Sequence, residues 1–170
     1  MLGDDFAILY RQYLPRVLNY VRMRVGDESL AQDLTAATFE RAFAKRGQLR
    51  DHQAFAGWLF RIARNEVAQH YRRQGKRGAQ VDLAAAYGVA ADGPLPEEEE
   101  ALKQRELAVL LAAVERLSTR EQEIIRLKFV AGLTNRSIAK AMRLSESNVA
   151  VILYRTIRRL RATLPAEEDR

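Results

Sequence analysis

Cysteine is absent from the 170 residues, which excludes disulfide staples, thiolate metal sites and cysteine nucleophiles together. Histidine is nearly absent: two residues, His52 and His70, are too few for a histidine-rich metal centre. No apolar run approaches the roughly 20 residues that cross a bilayer, and the N-terminus is acidic and amphipathic where a signal peptide is basic and then apolar. Strand-like alternation is also missing throughout. These absences leave a cytoplasmic, all-α protein without membrane insertion, metal or cofactor. Its 48% apolar content suffices for one medium domain or two small ones.

The charge is uneven. Residues 1–80 carry 14 basic and 8 acidic side chains and residues 107–164 carry 11 and 4, whereas residues 81–106 carry 2 and 7. Two basic blocks flanking an acidic bridge suit two separate polyanion-binding surfaces. Arg-rich but merely solvated helix faces give the same sums.

Apolar positions from Phe6 through Leu9, Tyr13, Val17 and Val21 recur at helical spacing and predict a first helix, with a bend at Pro15. Gly26 and Asp27 stop it and cap a second, whose stripe is Leu30, Leu34, Ala37 and Thr38. Residues 46–53 lack a period and read as a loop. Phe55, Trp58, Leu59, Ile62, Ala63, Val67 and Tyr71 mark a long third helix. Between Gly75 and Pro96 periodicity lapses among glycine, proline and small residues, the composition of a linker. Pro96 and the glutamates 97–100 start a fourth helix, buried through Leu102, Leu107, Leu110, Leu111, Val114 and Leu117. Ser118 and Glu121 form a capping box for a fifth, with Ile124, Ile125 and Phe129 inside. Two more follow, capped by Thr134 and Ser145 and ended by Pro165.

The last pair has helix-turn-helix spacing. Ile138, Met142, Leu144, Val149 and Ile152 or Leu153 occupy the crossing positions, and Ala139 permits close approach. Arg143 stands where glycine usually supplies a left-handed turn, at a cost of roughly 1 kcal/mol. An ordinary helical hairpin has the same pattern. Ser147, Asn148, Ala150, Val151 and Tyr154 lie on the exposed face of the second helix, where asparagine and serine can bond base edges and alanine or valine can touch a thymine methyl. Arg155, Arg158, Arg159 and Arg161 continue along it toward the phosphate backbone. The third helix instead interleaves aromatics with Arg61, Arg64, Asn65, His70, Arg72 and Arg73, a composition suited to single-stranded nucleic acid. Trp58 and Tyr71 also fall on its apolar stripe and read as core.

Phe55-Ala-Gly-Trp-Leu-Phe-Arg-Ile-Ala-Arg-Asn65 and Tyr71-Arg-Arg73, preceded by Ala31-Gln-Asp-Leu-Thr-Ala-Ala-Thr-Phe39, resemble region 2 of the extracytoplasmic-function sigma factors, and the C-terminal half resembles their region 4. The resemblance implies two small helical domains joined by a flexible linker: residues 1–74, a linker at 75–96, a helix-turn-helix domain at 97–164 and a tail at 165–170. It further implies that Asp33, Leu34 and Phe39 dock on core RNA polymerase. Arg46, Gln48 and Arg50 of the 46–53 loop, with Arg61, Arg64, Asn65, Arg72 and Arg73, would hold the melted minus-ten element of promoter DNA. Ser145, Ser147, Asn148, Val151, Arg155, Arg158 and Arg159 would engage the duplex minus-thirty-five element. The acidic linker would thread toward the polymerase cleft, and an anti-sigma protein would be a further partner. Ala37, Gln69 and residues 150–152 depart from the family's usual residues, so the promoter sequence does not transfer, and residues 150–153 suit protein as well as DNA.

The C-terminal half is also similar to the LuxR-type helix-turn-helix of duplex-binding regulators, which would carry a strand-containing first half. An adaptor that binds polymerase without melting DNA accommodates Asp33 and Phe39 but not the Arg-rich third helix. For an enzyme there is no phosphate loop, metal-spaced histidines or nucleophile arrangement, and His70 is the single candidate base.

Overall fold

The computed structural model describes residues 3–75 and 98–165, all of whose regular elements are helical. Helix α1 spans Gly3–Val25 and continues through Pro15, where the missing N–H removes one donor from its ladder. Gly26 reverses the chain at φ 68°. Asp27 then accepts the Leu30 amide at 2.7 Å, and Arg22 grips Glu28 at 2.5 and 2.8 Å across the turn. Helix α2, Glu28–Ala44, buries Ala31, Leu34, Thr35, Thr38, Phe39 and Ala42. The loop predicted at 46–53 contains two single 3-10 turns, Arg46–Gln48 and His52–Ala54. Helix α3, Phe55–Arg73, buries its predicted stripe except Trp58, and also Phe60, whose ring meets Tyr20 edge-on at 5.5 Å. Trp58 is half-buried beside Phe55, while Tyr71 is buried with its hydroxyl donating to the Arg24 carbonyl. Arg41 pairs with the buried Glu66 at 2.9 Å and ties α2 to α3.

Helix α4, Glu98–Glu115, is less buried than its periodicity suggests. Leu111 and the following Leu117 are enclosed, Leu107 and Val114 pack partly around Met23, and Leu102 remains 41% exposed. The glutamates of the first turn, 98–100, are exposed and Ala101 is half-buried. The capping box that begins α5, Thr119–Ile125, forms as predicted: the Ser118 amide donates to Glu121 at 2.9 Å, and the Glu121 amide to the Ser118 hydroxyl at 3.3 Å. Beyond it the chain widens into a π turn, Arg126–Val130, closed by the Ala131 amide on the Arg126 carbonyl. One extra residue in that turn rotates the stripe. Leu127 goes inside, and Phe129, expected in the core, is turned out to 62% exposure.

Helix α6, Asn135–Met142, is capped by Thr134, and helix α7, Glu146–Arg161, by Ser145. Between them Arg143 adopts the left-handed conformation, φ 56° and ψ 46°. Ile138, Ala139, Val149 and Leu153 are buried where the two helices meet, with Met142, Leu144 and Ile152 packed around them.

The N- and C-terminal helical regions, expected to keep separate cores, share one. A continuous cluster runs from Val17, Tyr20 and Phe60 into Ile124, Leu127, Ile138 and Leu153. Helix α3 lies against α6 so closely that a Cβ added at Gly57 would stand 2.7 Å from the Ser137 carbonyl oxygen and 2.9 Å from the Lys140 Cβ. A glycine in the first turn of a helix is thus explained by close backbone approach. The linker and tail expectations fall mainly on residues outside those described.

Candidate nucleic-acid interface

The outward side of α7 is uncovered. Ser147, Asn148, Ala150, Val151 and Tyr154 are exposed, Tyr154 at 68%, and Arg155 and Arg158 follow on the same surface. A shallow groove joins Ala150, Val151, Tyr154, Arg155 and Arg158 to Glu121. The run 150–153 divides by position: Ala150 and Val151 face outward, Ile152 is half-buried and Leu153 belongs to the core. Two residues expected on this surface have internal work. The Ser145 hydroxyl accepts the Asn148 amide at 3.1 Å as the helix cap. Arg159 donates to Glu121, whose carboxyl burial alone would push up. The Ser118 amide and hydroxyl and Arg159 instead hold it below its ordinary range.

In the N-terminal region the residues expected to hold the melted strand split into two groups. Gln48, Arg50, Asn65, Arg72 and Arg73 are exposed. Asn65 and Arg72 stand seven residues apart, two turns along one side of α3. Arg72 and Arg73 are steadied by the Ala68 carbonyl at 3.3 Å and the Gln69 side chain at 3.4 Å. Arg46 stacks on Phe43, its guanidinium 3.9 Å from the ring centre, while donating to the Phe43 carbonyl.

Arg61 and Arg64, expected to face DNA, face α6 instead. Arg61 donates through Nε at 3.1 Å and through its terminal nitrogen to the Lys140 carbonyl. Arg64 donates to the Ala141 carbonyl at 2.8 Å and to Glu123 at 2.9 Å. The last carbonyls of a helix carry its negative end, so two guanidinium groups find there what phosphate oxygens would otherwise offer.

Glu123 gathers the charges of this contact. It is 4% exposed, accepts from the Tyr20 hydroxyl, and pairs with Arg24 at 2.7 Å, Arg64 at 2.9 Å and Arg126 at 3.5 Å. Burial pushes its carboxyl up. Arg24, Arg64, the Tyr20 hydroxyl and Arg126 together outweigh that and hold it below the ordinary carboxylate range. Arg16 adds a separate tie to the carbonyls of Ala131 and Gly132, at 2.7 and 2.8 Å. None of Arg16, Arg24, Gly57 or Glu123 stands out in the sequence as a functional residue. The signal for Glu123 was a carboxylate on the stripe of Ile124, Leu127 and Ala131, where a charge is buried only if paired.

The expected polymerase-docking set also divides. Asp33 is exposed on α2, but Leu34 and Phe39 point inward, Phe39 at 4% exposure with its ring 4.7 Å from Tyr10. Both belong to the core formed by α1, α2 and α3. Among the described residues there is no group of three or more histidine, cysteine, aspartate or glutamate side chains arranged to hold a metal ion, and no helix long and apolar enough to cross a membrane.

Residues 9–77 match the family model for sigma-70 region 2, and residues 107–160 that for sigma-70 region 4. The chain is 37% identical over 170 residues to the ECF RNA polymerase sigma factor BldN of Streptomyces coelicolor, aligning 96% of this chain with 61% of that protein. It is 32% identical to RNA polymerase sigma factor CnrH of Cupriavidus metallidurans over 84% of this chain and 78% of the relative. The ECF sigma factor SigM of Bacillus subtilis is 27% identical over 91% of both chains. Two solved structures share the fold. One is the sigma factor RpoE with the anti-sigma factor NepR from Bartonella quintana, with TM-score 0.63 and 22% identity over 97% of this chain and 99% of that one. The other is CnrH with the cytosolic domain of CnrY, with TM-score 0.61 and 21% identity over 97% and 90%. A region 2 match across the first half disfavours the LuxR-type alternative, which calls for a different domain there. With region 2 built from α1–α3 and region 4 from α4–α7, the chain belongs to the extracytoplasmic-function sigma factors, which are initiation factors and not enzymes.

Proposed function

We propose that the chain binds core RNA polymerase in the cytoplasm and directs it to promoters, reading a minus-thirty-five element with α7 and capturing the melted minus-ten strand with the 46–53 loop and α3. The observation that carries this reading is the uncovered α7 face, where Asn148, Val151 and Tyr154 are presented with Arg155 and Arg158 beside them. Asparagine supplies base-edge bonds, valine an apolar contact, and the arginines phosphate neutralisation. Asn65, Arg72, Gln48 and Arg50 hold bases and phosphates that open transiently, so strand separation is stabilised without ATP. Asp33, exposed on α2, is assigned to polymerase docking. Leu34 and Phe39 belong to the core.

Two short contacts on one chain combine by effective concentration, which lets each be weak. Residues 1–74 and 97–164 are the two DNA-contacting units, and residues 75–96 connect them through the polymerase. An anti-sigma protein is included among the partners. The test is run-off transcription with purified core polymerase on templates selected from a random promoter library. Initiation at a recurrent two-part sequence that depends on added chain is expected. Duplex binding without any support of initiation would contradict it.

A further inference from the structure

We infer that α7 reads methyl groups in the major groove, so that it takes thymine and 5-methylcytosine alike and rejects uracil and unmethylated cytosine. The inference deepens the duplex-reading role proposed for α7 and rests on it. In a helix-turn-helix the N-terminal part of the second helix meets the base edges. The commonest specific contact to guanine is a bidentate one from arginine or lysine, and residues 146–154 contain neither. The first arginine of the helix is Arg155, more than two turns in. What the face presents instead is hydrocarbon. Ser147, Ala150, Val151 and Tyr154 fall at three-residue and four-residue steps on one side of α7. All four are exposed, Val151 at 46%. The remaining apolar side chains of this helix turn inward: Val149, Leu153 and Leu160 are buried, and Ile152 and Ile157 pack against the core. Val151 and Tyr154 are thus the large apolar side chains that α7 leaves to solvent, and they line the groove that continues to Arg155 and Arg158.

The C5 methyl of thymine projects into the major groove, as does the methyl that turns cytosine into 5-methylcytosine. Beside it the two bases differ, thymine offering the O4 acceptor and cytosine the N4 donor. The side chains of Ala150 and Val151 carry no donor or acceptor, so they have no means of sensing that difference. A methyl group laid against them removes apolar surface from water in either base. Arg155 and Arg158 flank the patch and bring phosphates to it, a charge complementarity that selects duplex DNA as the occupant. A protein partner would need more apolar surface than remains, because Ile152 and Leu153 of the 150–153 run turn inward. Asn148, three residues before Val151, is exposed beside the patch and can bond the edge of an adenine. The face therefore reads one base pair by its polar edge and a neighbouring one by its methyl group.

The probe is the promoter duplex that the full chain and core polymerase select from a random library. It is remade with each minus-thirty-five thymine in turn as deoxyuridine, and with each of those pairs in turn as cytosine or 5-methylcytosine opposite guanine. Competition binding to the full chain with core polymerase reads the affinities. Thymine against deoxyuridine, and 5-methylcytosine against cytosine, each change a methyl group and keep the pairing partner. At one or two positions the methyl is expected to tighten binding about fourfold in both comparisons, the ratio for about 0.8 kcal/mol per buried carbon. In Val151→Ala both ratios are expected to fall toward one, because side chain and methyl act as a coupled pair. A merely structural effect of that substitution would lower all four affinities together and leave the ratios unchanged. Ratios near one in the wild type, with Asn148→Ala still changing base preference, would overturn methyl reading and leave the duplex role of α7 standing. Ratios near one, with Asn148→Ala and Arg158→Ala also without effect, would overturn both. A fourfold ratio that survives Val151→Ala and Tyr154→Ala alike would remove methyl reading from this face, and a selected minus-thirty-five element without thymine on either strand would overturn it outright.

Discussion

Asp33 and Phe39 lie six residues apart on α2 and do opposite kinds of work. Phe39 fills the space between α1 and α2, so Phe39→Ala costs about 3 to 5 kcal/mol through the cavity it leaves. Any loss of polymerase binding would then follow from a weakened fold. Asp33 is exposed, so Asp33→Arg is expected to leave thermal stability near wild type and to weaken capture of core polymerase in a pull-down. Full capture by the folded Asp33→Arg protein would remove α2 from the docking surface. Both residues became candidates through the resemblance of residues 31–39 to region 2, which names a helix but not which of its side chains face outward. Turning Asp33 out and Phe39 in requires the positions of α1 and α3. Glu123 was harder to recognise, since three of its partners, Tyr20, Arg24 and Arg64, come from about 60 to 100 positions earlier in the chain.

At the scale of the element, caps and turns were the most legible features because each is a local bargain among adjacent residues. Asp27, Ser118, Thr134 and Ser145 cap as their side chains dictate, and Arg143 takes the left-handed turn expected of it. What misled was register. A π turn is invisible to a 3.6-residue period, and it moved Phe129 from the expected core to the surface. In α7 the register held, which gives a sharp division of labour. Asn148→Ala is expected to change which promoter bases are preferred, by about 1 to 3 kcal/mol of discrimination at one position. Arg158→Ala is expected to weaken all sequences alike and to reduce the salt slope by about one. Selection from a randomised duplex library, repeated at several salt concentrations, separates them. Identical preferences for wild type and Asn148→Ala would mean that α7 does not read bases through this residue.

For the whole molecule, the two helical regions were each legible, and their union was not, since Arg61 and Arg64 at the seam look in sequence like DNA-binding arginines and their partners on α5 and α6 lie some 60 to 80 positions away. The union carries a pH signature. Because Glu123 is held below its ordinary range in the folded chain, its contribution is fully present above the unfolded glutamate value of about 4.3 and is lost as pH falls through the lower folded value. Removing one partner of a buried ion pair costs about 3 kcal/mol. Glu123→Gln is therefore expected to trail the wild type by about that much in urea unfolding at neutral pH, with the gap closing below pH ~4 as the wild type protonates. A constant gap across that range would show that the carboxylate charge is not what joins the regions. The proposed opening of promoter DNA through Asn65 and the 46–53 loop is tested by permanganate footprinting of the polymerase complex on a selected promoter supplied as duplex and as a pre-melted bubble. Asn65→Ala and Gln48→Ala should retain polymerase binding, lose most thymine reactivity on the duplex and regain much of it on the bubble, where the unpairing cost is already met. Wild-type reactivity of both variants on the duplex would contradict the account.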